Sequence, residues 1–134
     1  MKNKHLNYFM EIAKNTANLS YCERKKVGAI LVKDGNVISI GYNGTLSGED
    51  NCCEDLNGNT KSSVIHAEMN CLMKICKSTH TSDGAILFTT LSPCISCSTM
   101  LISAGVSQIY YNEEYRDNSG IILLKKHNIM CSLI

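Results

Sequence analysis

No run of apolar residues in this 134-residue chain approaches the roughly 20 needed to cross a bilayer as a helix. A membrane-spanning segment is therefore not expected. Met1-Lys2-Asn3-Lys4-His5 leads into mixed polar sequence with no apolar core behind it, so no secretory signal is expected either. Charge of neither sign dominates. Thirteen basic and twelve acidic residues are interspersed and leave a net +1. Without a basic arm or stripe, a long nucleic-acid partner is not indicated. Proline occurs once, and no internal repeat or low-complexity tract stands out. Hydrophobic residues make up 44% of the chain, which argues against disorder. The length suits one domain, residues 1–134, around one core.

What is abundant is cysteine, eight residues in so short a chain. With no secretion signal, these are expected to be reduced thiols in a cytosol. Some would then bind metal, and the others would be small core residues.

Periodicity orders the elements. Leu6, Phe9, Met10 and Ala13 recur at helical spacing over residues 5–17. Two apolar runs, 27–33 and 37–42, flank Asp34-Gly35-Asn36 and read as a hairpin. Residues 43–63 hold four asparagines and three glycines and read as a long loop, often a functional feature in a compact domain. A helix is expected over 66–77, with Met69, Leu72, Met73 and Cys76 on one side. A buried strand follows at 85–91. Ser92-Pro93 punctuates the chain before a helix over 94–104, which Gly105 ends. A strand (106–111), a helix (117–126) and a short last strand (128–134) complete the series. The alternation in the second half predicts a largely parallel sheet with helices packed on its faces.

Two short segments carry the chemistry, His66-Ala67-Glu68 and Pro93-Cys94-Ile95-Ser96-Cys97. Each opens a predicted helix. Cys94 and Cys97 project from the same side of one turn. A helix N-terminus favours the thiolate, the form that binds metal. One His and two Cys leave a tetrahedral Zn²⁺ one ligand short, where a catalytic water sits. Glu68, two residues past His66, stands close enough to exchange protons with that water. Alone, Cys-x-x-Cys fits a redox pair or half of a structural zinc site equally well. The element order does not match a thioredoxin-like unit, and Cys71 and Cys76 sit at positions suited to packing rather than to a fourth ligand. His, Glu, Pro, Cys and Cys together form the signature of zinc nucleobase deaminases.

With these residues, the chain resembles the cytidine and deoxycytidylate deaminase superfamily, most closely its dCMP branch. The resemblance runs from about Arg24 to Ile129. It is carried further by Val27-Gly28-Ala29-Ile30, Gly41-Tyr42-Asn43-Gly44-Thr45, Asn51-Cys52-Cys53-Glu54, Thr90-Leu91-Ser92-Pro93-Cys94 and Glu113-Glu114-Tyr115-Arg116-Asp117. His rather than Cys as first ligand also suits the dCMP branch. The resemblance implies a three-layer α/β/α fold on a five-stranded mixed sheet, a cytosolic enzyme, and a homo-oligomer, often a hexamer. It implies attack of water at C4 of cytosine, Glu68 as proton shuttle and loss of ammonia. It places Asn43 at the sugar or phosphate and Ser92 near the base, with Ala67 beside them. It also implies dCTP and dTTP as effectors near Gly44, Thr45 and Asp50.

Leu46 and Glu49 depart from the family's usual Pro and aromatic, so a difference in the regulatory loop is expected. Some phage members hold a second, structural zinc through Cys near Cys22 and Cys53 and His residues in an insertion. That insertion is absent here, so one zinc per chain is expected. His5, His80 and His127 are expected to be solvated.

The chain has only two arginines, the side chains best shaped to grip phosphate. Arg24 is expected at the substrate phosphate with Tyr115 nearby, and Arg116 at a regulatory triphosphate. The alternatives are a deaminase of tRNA adenosine or of a free base, and a non-enzymatic zinc module, against which Glu68 argues.

Overall fold

The computed structural model describes all 134 residues. Helix α1 (Asn3–Ala17) leads into strands β1 (Gly28–Lys33) and β2 (Asn36–Tyr42). Helix α2 (Ala67–Ile75), β3 (Ile86–Leu91), α3 (Ile95–Ser103), β4 (Gln108–Glu113), α4 (Ser119–Lys126) and β5 (Met130–Leu133) follow. Every predicted element is present. The hairpin turns at Asp34 and Gly35, both at positive φ, as a two-residue Asp-Gly turn requires. Gly105, at φ +80°, stands just past the end of α3 in the left-handed conformation that closes helices.

The strands lie in the order β2-β1-β3-β4-β5. β1 is antiparallel to both neighbours, whereas β3, β4 and β5 run parallel. The sheet is mixed: α3 and α4 carry the chain between the parallel neighbours β3, β4 and β5, whereas the hairpin makes β1 antiparallel to β2, and the crossover through α2 sets β3 on the far side of β1. Strand alternation divides the interior in two. Ala29, Leu31, Leu87 and Ile109 face α2, α3 and α4, with Cys71, Leu72, Leu101 and Leu124 packed on them. Ile30, Val32, Phe88 and Tyr110 face α1 through Phe9, Met10 and Ala13. On that face Phe88 stacks on Tyr110 with ring centroids 5.1 Å apart. Helices on both faces make three layers.

Two expectations are corrected. Helix α2 buries Ala67, Glu68, Cys71, Leu72 and Ile75. Of the expected face, Met73 is 46% exposed and Cys76 is exposed at the helix end. The phase is set by the backbone of α2 lying against Gly41, and a buried carboxylate occupies a place that an apolar pattern cannot mark. The thiols are not all free, because Cys22 and Cys53 form a disulfide across 31 residues of sequence. Cys71 is the expected packing residue, buried so fully that its thiol pKa is pushed up to about 12. No helix is long and apolar enough to cross a membrane.

Candidate active site

The site forms where two helices begin. His66 is the N-cap of α2 and Cys94 the N-cap of α3, both with extended backbone. Cys94 Sγ accepts the Cys97 N–H at 3.5 Å and so caps its own helix. His66 Nδ1 lies 3.5 Å from Cys94 Sγ and 3.4 Å from Cys97 Sγ, and the three donor atoms are all within 4.8 Å of one another.

This spacing can be tested against a metal. Zinc in a tetrahedral site lies about 2.3 Å from sulfur and about 2.05 Å from nitrogen, which sets S and N roughly 3.6 Å apart. The observed separations match, and one borderline and two soft donors suit zinc. Close approach also reorganises protons. Hydrogen bonds from Cys97 and His66 pull the Cys94 thiol down to about 4. Its bond to Cys94, and then burial, push the Cys97 thiol up. The hydrogen bond to Cys94 raises His66. A bound cation would displace the protons that Cys97 and His66 hold, with Cys94 already favouring the thiolate.

Glu68, in the first turn of α2, is 4% exposed. Burial pushes its carboxyl pKa up, against a lowering contribution from its own backbone N–H and from His66. A carboxylate moved toward neutral pH is suited to exchanging protons.

A cavity of about 230 Å³ opens over this cluster. Arg24, Asn43, Ala67, Ser92 and Tyr115 line it together with His66, Glu68 and Cys94. All five predicted substrate residues are therefore brought to one place. The Asn43 side chain is engaged with main chain, accepting from Val27 N–H at 2.9 Å and donating to Lys25 C=O at 2.8 Å. It fixes the segment after Arg24 and keeps one N–H and one lone pair in reserve. Ser92 Oγ accepts the Tyr115 N–H at 2.7 Å and holds that residue at the rim. Ala67, the first residue of α2, presents an N–H with no partner inside the helix.

A second cavity, of about 590 Å³, is lined by Gly44 and Thr45 together with Tyr21, Asn51, Lys74 and Lys77. Asp50 lies outside that lining and instead accepts the Cys52 N–H at 2.8 Å. Arg116 is exposed and lines neither cavity. Sequence reasoning missed Lys25, Glu54, Thr60 and Val64 in the first cavity and both lysines in the second. Glu54 stands in a segment that carried the resemblance, but nothing in its spacing marks a pocket wall.

The family model for the cytidine and deoxycytidylate deaminase zinc-binding region matches residues 3–113. The crystal structure of dCMP deaminase from cyanophage S-TIM5, in complex with dCMP and dUMP, is 43% identical with a TM-score of 0.98. That match covers 100% of this chain and 99% of the other. Deoxycytidylate deaminase of Mycobacterium phage D29 is 34% identical over 80% of this chain and 93% of its own length. ComE operon protein 2 of Bacillus subtilis (strain 168) is 37% identical over 81% of this chain but only 59% of its own length. The chain thus spans little more than half of that cellular relative.

Proposed function

The chain belongs to the cytidine and deoxycytidylate deaminase family, and from that membership we propose that it hydrolyses dCMP to dUMP and ammonia. The observation that supports this reading is that Arg24, Asn43, Ala67, Ser92 and Tyr115, the residues expected at the substrate from the sequence, line the cavity that holds His66, Glu68 and Cys94. His66, Cys94 and Cys97 would hold Zn²⁺, which when bound supplies a Lewis acid that makes water a nucleophile near neutral pH. Glu68 takes a proton from the attacking water and delivers it to the departing nitrogen. The water oxygen ends on C4 of the ring and the amine leaves as ammonia. Ala67 N–H and the Ser92–Tyr115 pair orient the base. Asn43 faces the sugar with its remaining donor and acceptor.

The 5′-phosphate falls to Arg24. It forms no salt bridge, since the molecule's two ion pairs are Lys14–Glu11 and Lys25–Glu113. The nearby Glu54 carboxylate is engaged by main-chain N–H groups instead. A charge-assisted contact of this kind contributes roughly 1.5–3 kcal/mol, or about 10–150-fold. kcat/KM for deoxycytidine should be lower than for dCMP by that factor, and Arg24→Ala should close most of the gap. Equal use of the two substrates by the unmodified protein would reject the phosphate requirement and favour a nucleoside deaminase.

The proposal extends to regulation and assembly. dCTP activates and dTTP inhibits by binding the larger cavity at Gly44 and Thr45, where Lys74 and Lys77 supply positive charge. The enzyme works as a homo-oligomer, a hexamer by resemblance. Saturation curves with each triphosphate and sedimentation of the purified protein test these points.

A further inference from the structure

One wall of the substrate cavity has no regular secondary structure. It is built from the segments around residues 22–27 and 53–64, between α1 and β1 and between β2 and α2. Two attachments join residues 22–24 to residues 53–54. The first is the Cys22–Cys53 disulfide, whose cysteines are 2% and 0% exposed and pack with Val64 in a small cluster of their own. The second is Glu54, whose carboxylate accepts the N–H of Glu23 at 3.2 Å and of Arg24 at 3.3 Å. The first fixes Cys22 and the second the two residues that follow it, and Arg24 is the cationic side chain of that wall with no ion-pair partner.

We propose that the Cys22–Cys53 disulfide and Glu54 are positioning elements of the substrate site, holding Arg24 on the cavity wall, and that reducing the disulfide weakens capture of the nucleotide's phosphate. This rests on the reading of Arg24 given above. A side chain on a long flexible stem grips a phosphate well only when its main chain is held, because the ordering cost then falls before binding rather than during it. The disulfide supplies that hold, and Glu54 aligns the two amides that lead into Arg24. The zinc ligands and Glu68 sit on α2, α3 and their caps, and the paired main-chain hydrogen bonds between Gly44 and Ile65 anchor the chain just before His66, so loosening this wall leaves them in place. The reaction is two-electron thiol–disulfide exchange. Two molecules of a small thiol give up two electrons and two protons, the Cys22–Cys53 bond breaks, both cysteines become thiols, and the small thiol leaves as its own disulfide. Substrate capture is thereby tied to the thiol poise of the surroundings.

Cys22, Cys53 and Glu54 also place three metal-ligating atoms within 4.8 Å. The disulfide is the better assignment, because Glu54's oxygens already accept main-chain N–H groups and no histidine completes the set.

The test uses zinc-loaded protein before and after treatment with a water-soluble phosphine. The phosphine takes oxygen from water as it reduces the disulfide and, unlike a dithiol, is a poor chelator of zinc. Alkylation in denaturant should count six thiols before treatment and eight after. On reduction, KM for dCMP should rise at least about tenfold, with kcat within twofold and KM for deoxycytidine unchanged. The Cys22→Ser/Cys53→Ser variant should reproduce the reduced state without phosphine. Amide exchange at Glu23 and Arg24 should accelerate in both, a direct measure of the lost hold. Glu54→Gln should shift the same two quantities less. Eight thiols in the untreated protein, a second equivalent of zinc that the double variant loses, or a dCMP KM indifferent to reduction would each overturn the proposal. The underlying reading fails differently, because dCMP and deoxycytidine would then be used alike even before reduction.

Discussion

Gly41→Ala should cripple the enzyme through backbone geometry alone. Gly41 lies in β2 opposite Ala29, and α2 rests directly on it. A Cβ at this position would stand 2.5 Å from the Ala67 carbonyl oxygen and 2.6 Å from the Cys71 nitrogen. Ordinary contact begins near 3.4 Å, so α2 must retreat by roughly 0.9 Å. The obstructing atoms are helix backbone and cannot turn aside. The overpacking cost should fall in the upper part of the usual range, about 1–3 kcal/mol, or a Tm lowered by roughly 5–15 °C for a chain of this size. The functional cost should be larger. Glu68 and His66 ride on the first turn of α2, whereas Cys94 and Cys97 belong to α3. The retreat separates the proton shuttle from one half of the metal cluster. Misplacement on the order of 1 Å typically costs about 10²-fold in rate.

The assay is kcat for ammonia release at saturating dCMP and zinc, alongside thermal unfolding. Gly28→Ala is the matched control. Its Cβ would collide with Ala13 and Ala17 of α1, on the opposite face of the sheet. It should destabilise comparably while losing far less of kcat. If Gly41→Ala keeps kcat within twofold, or Gly28→Ala loses as much, the reasoning that α2 must touch the sheet to place Glu68 is wrong.

Other outcomes follow from the same geometry. Cys94→Ser combined with Cys97→Ser removes both sulfur donors and should lower bound zinc from one equivalent per chain to near none by metal analysis. Glu68→Gln should keep zinc and fold but lose about 10²–10⁴-fold in kcat, since the amide cannot accept the water's proton. Its melting temperature should not fall, because it removes a carboxyl whose charged form burial penalises. Lys77→Ala, on the larger cavity and away from the zinc cluster, should weaken the response to dCTP and dTTP in dCMP saturation curves while leaving the unregulated rate unchanged.

The elements were legible because most of them obey one period over their full length. Leu6, Phe9, Met10 and Ala13 mark the inner face of α1 almost without exception. The hairpin was legible from its Asp-Gly turn. The metal cluster was legible because its ligands and Glu68 fall within two short stretches, each opening a helix. Features that depend on loops meeting across the sequence were not legible. Nothing local marks Cys22 and Cys53, 31 residues apart, as partners. Nothing local marks Glu54 as the acceptor for amides some thirty positions earlier. The phase of α2 was misread for a related reason. Its inner face carries Glu68, so the most apolar stripe is not the most buried one. Arg116 shows the limit of carrying a motif over by position, since its segment matches while its side chain reaches neither cavity.

The most direct test of the central claim is a product assay on the purified, zinc-loaded chain given dCMP, with deoxycytidine and adenosine-containing tRNA in parallel. The account predicts stoichiometric dUMP and ammonia from dCMP, much slower turnover of deoxycytidine, no inosine in the tRNA, and loss of the dCMP reaction in Glu68→Gln at unchanged zinc content. Persistence of the reaction in Glu68→Gln, or deamination of the tRNA with dCMP left intact, would contradict it.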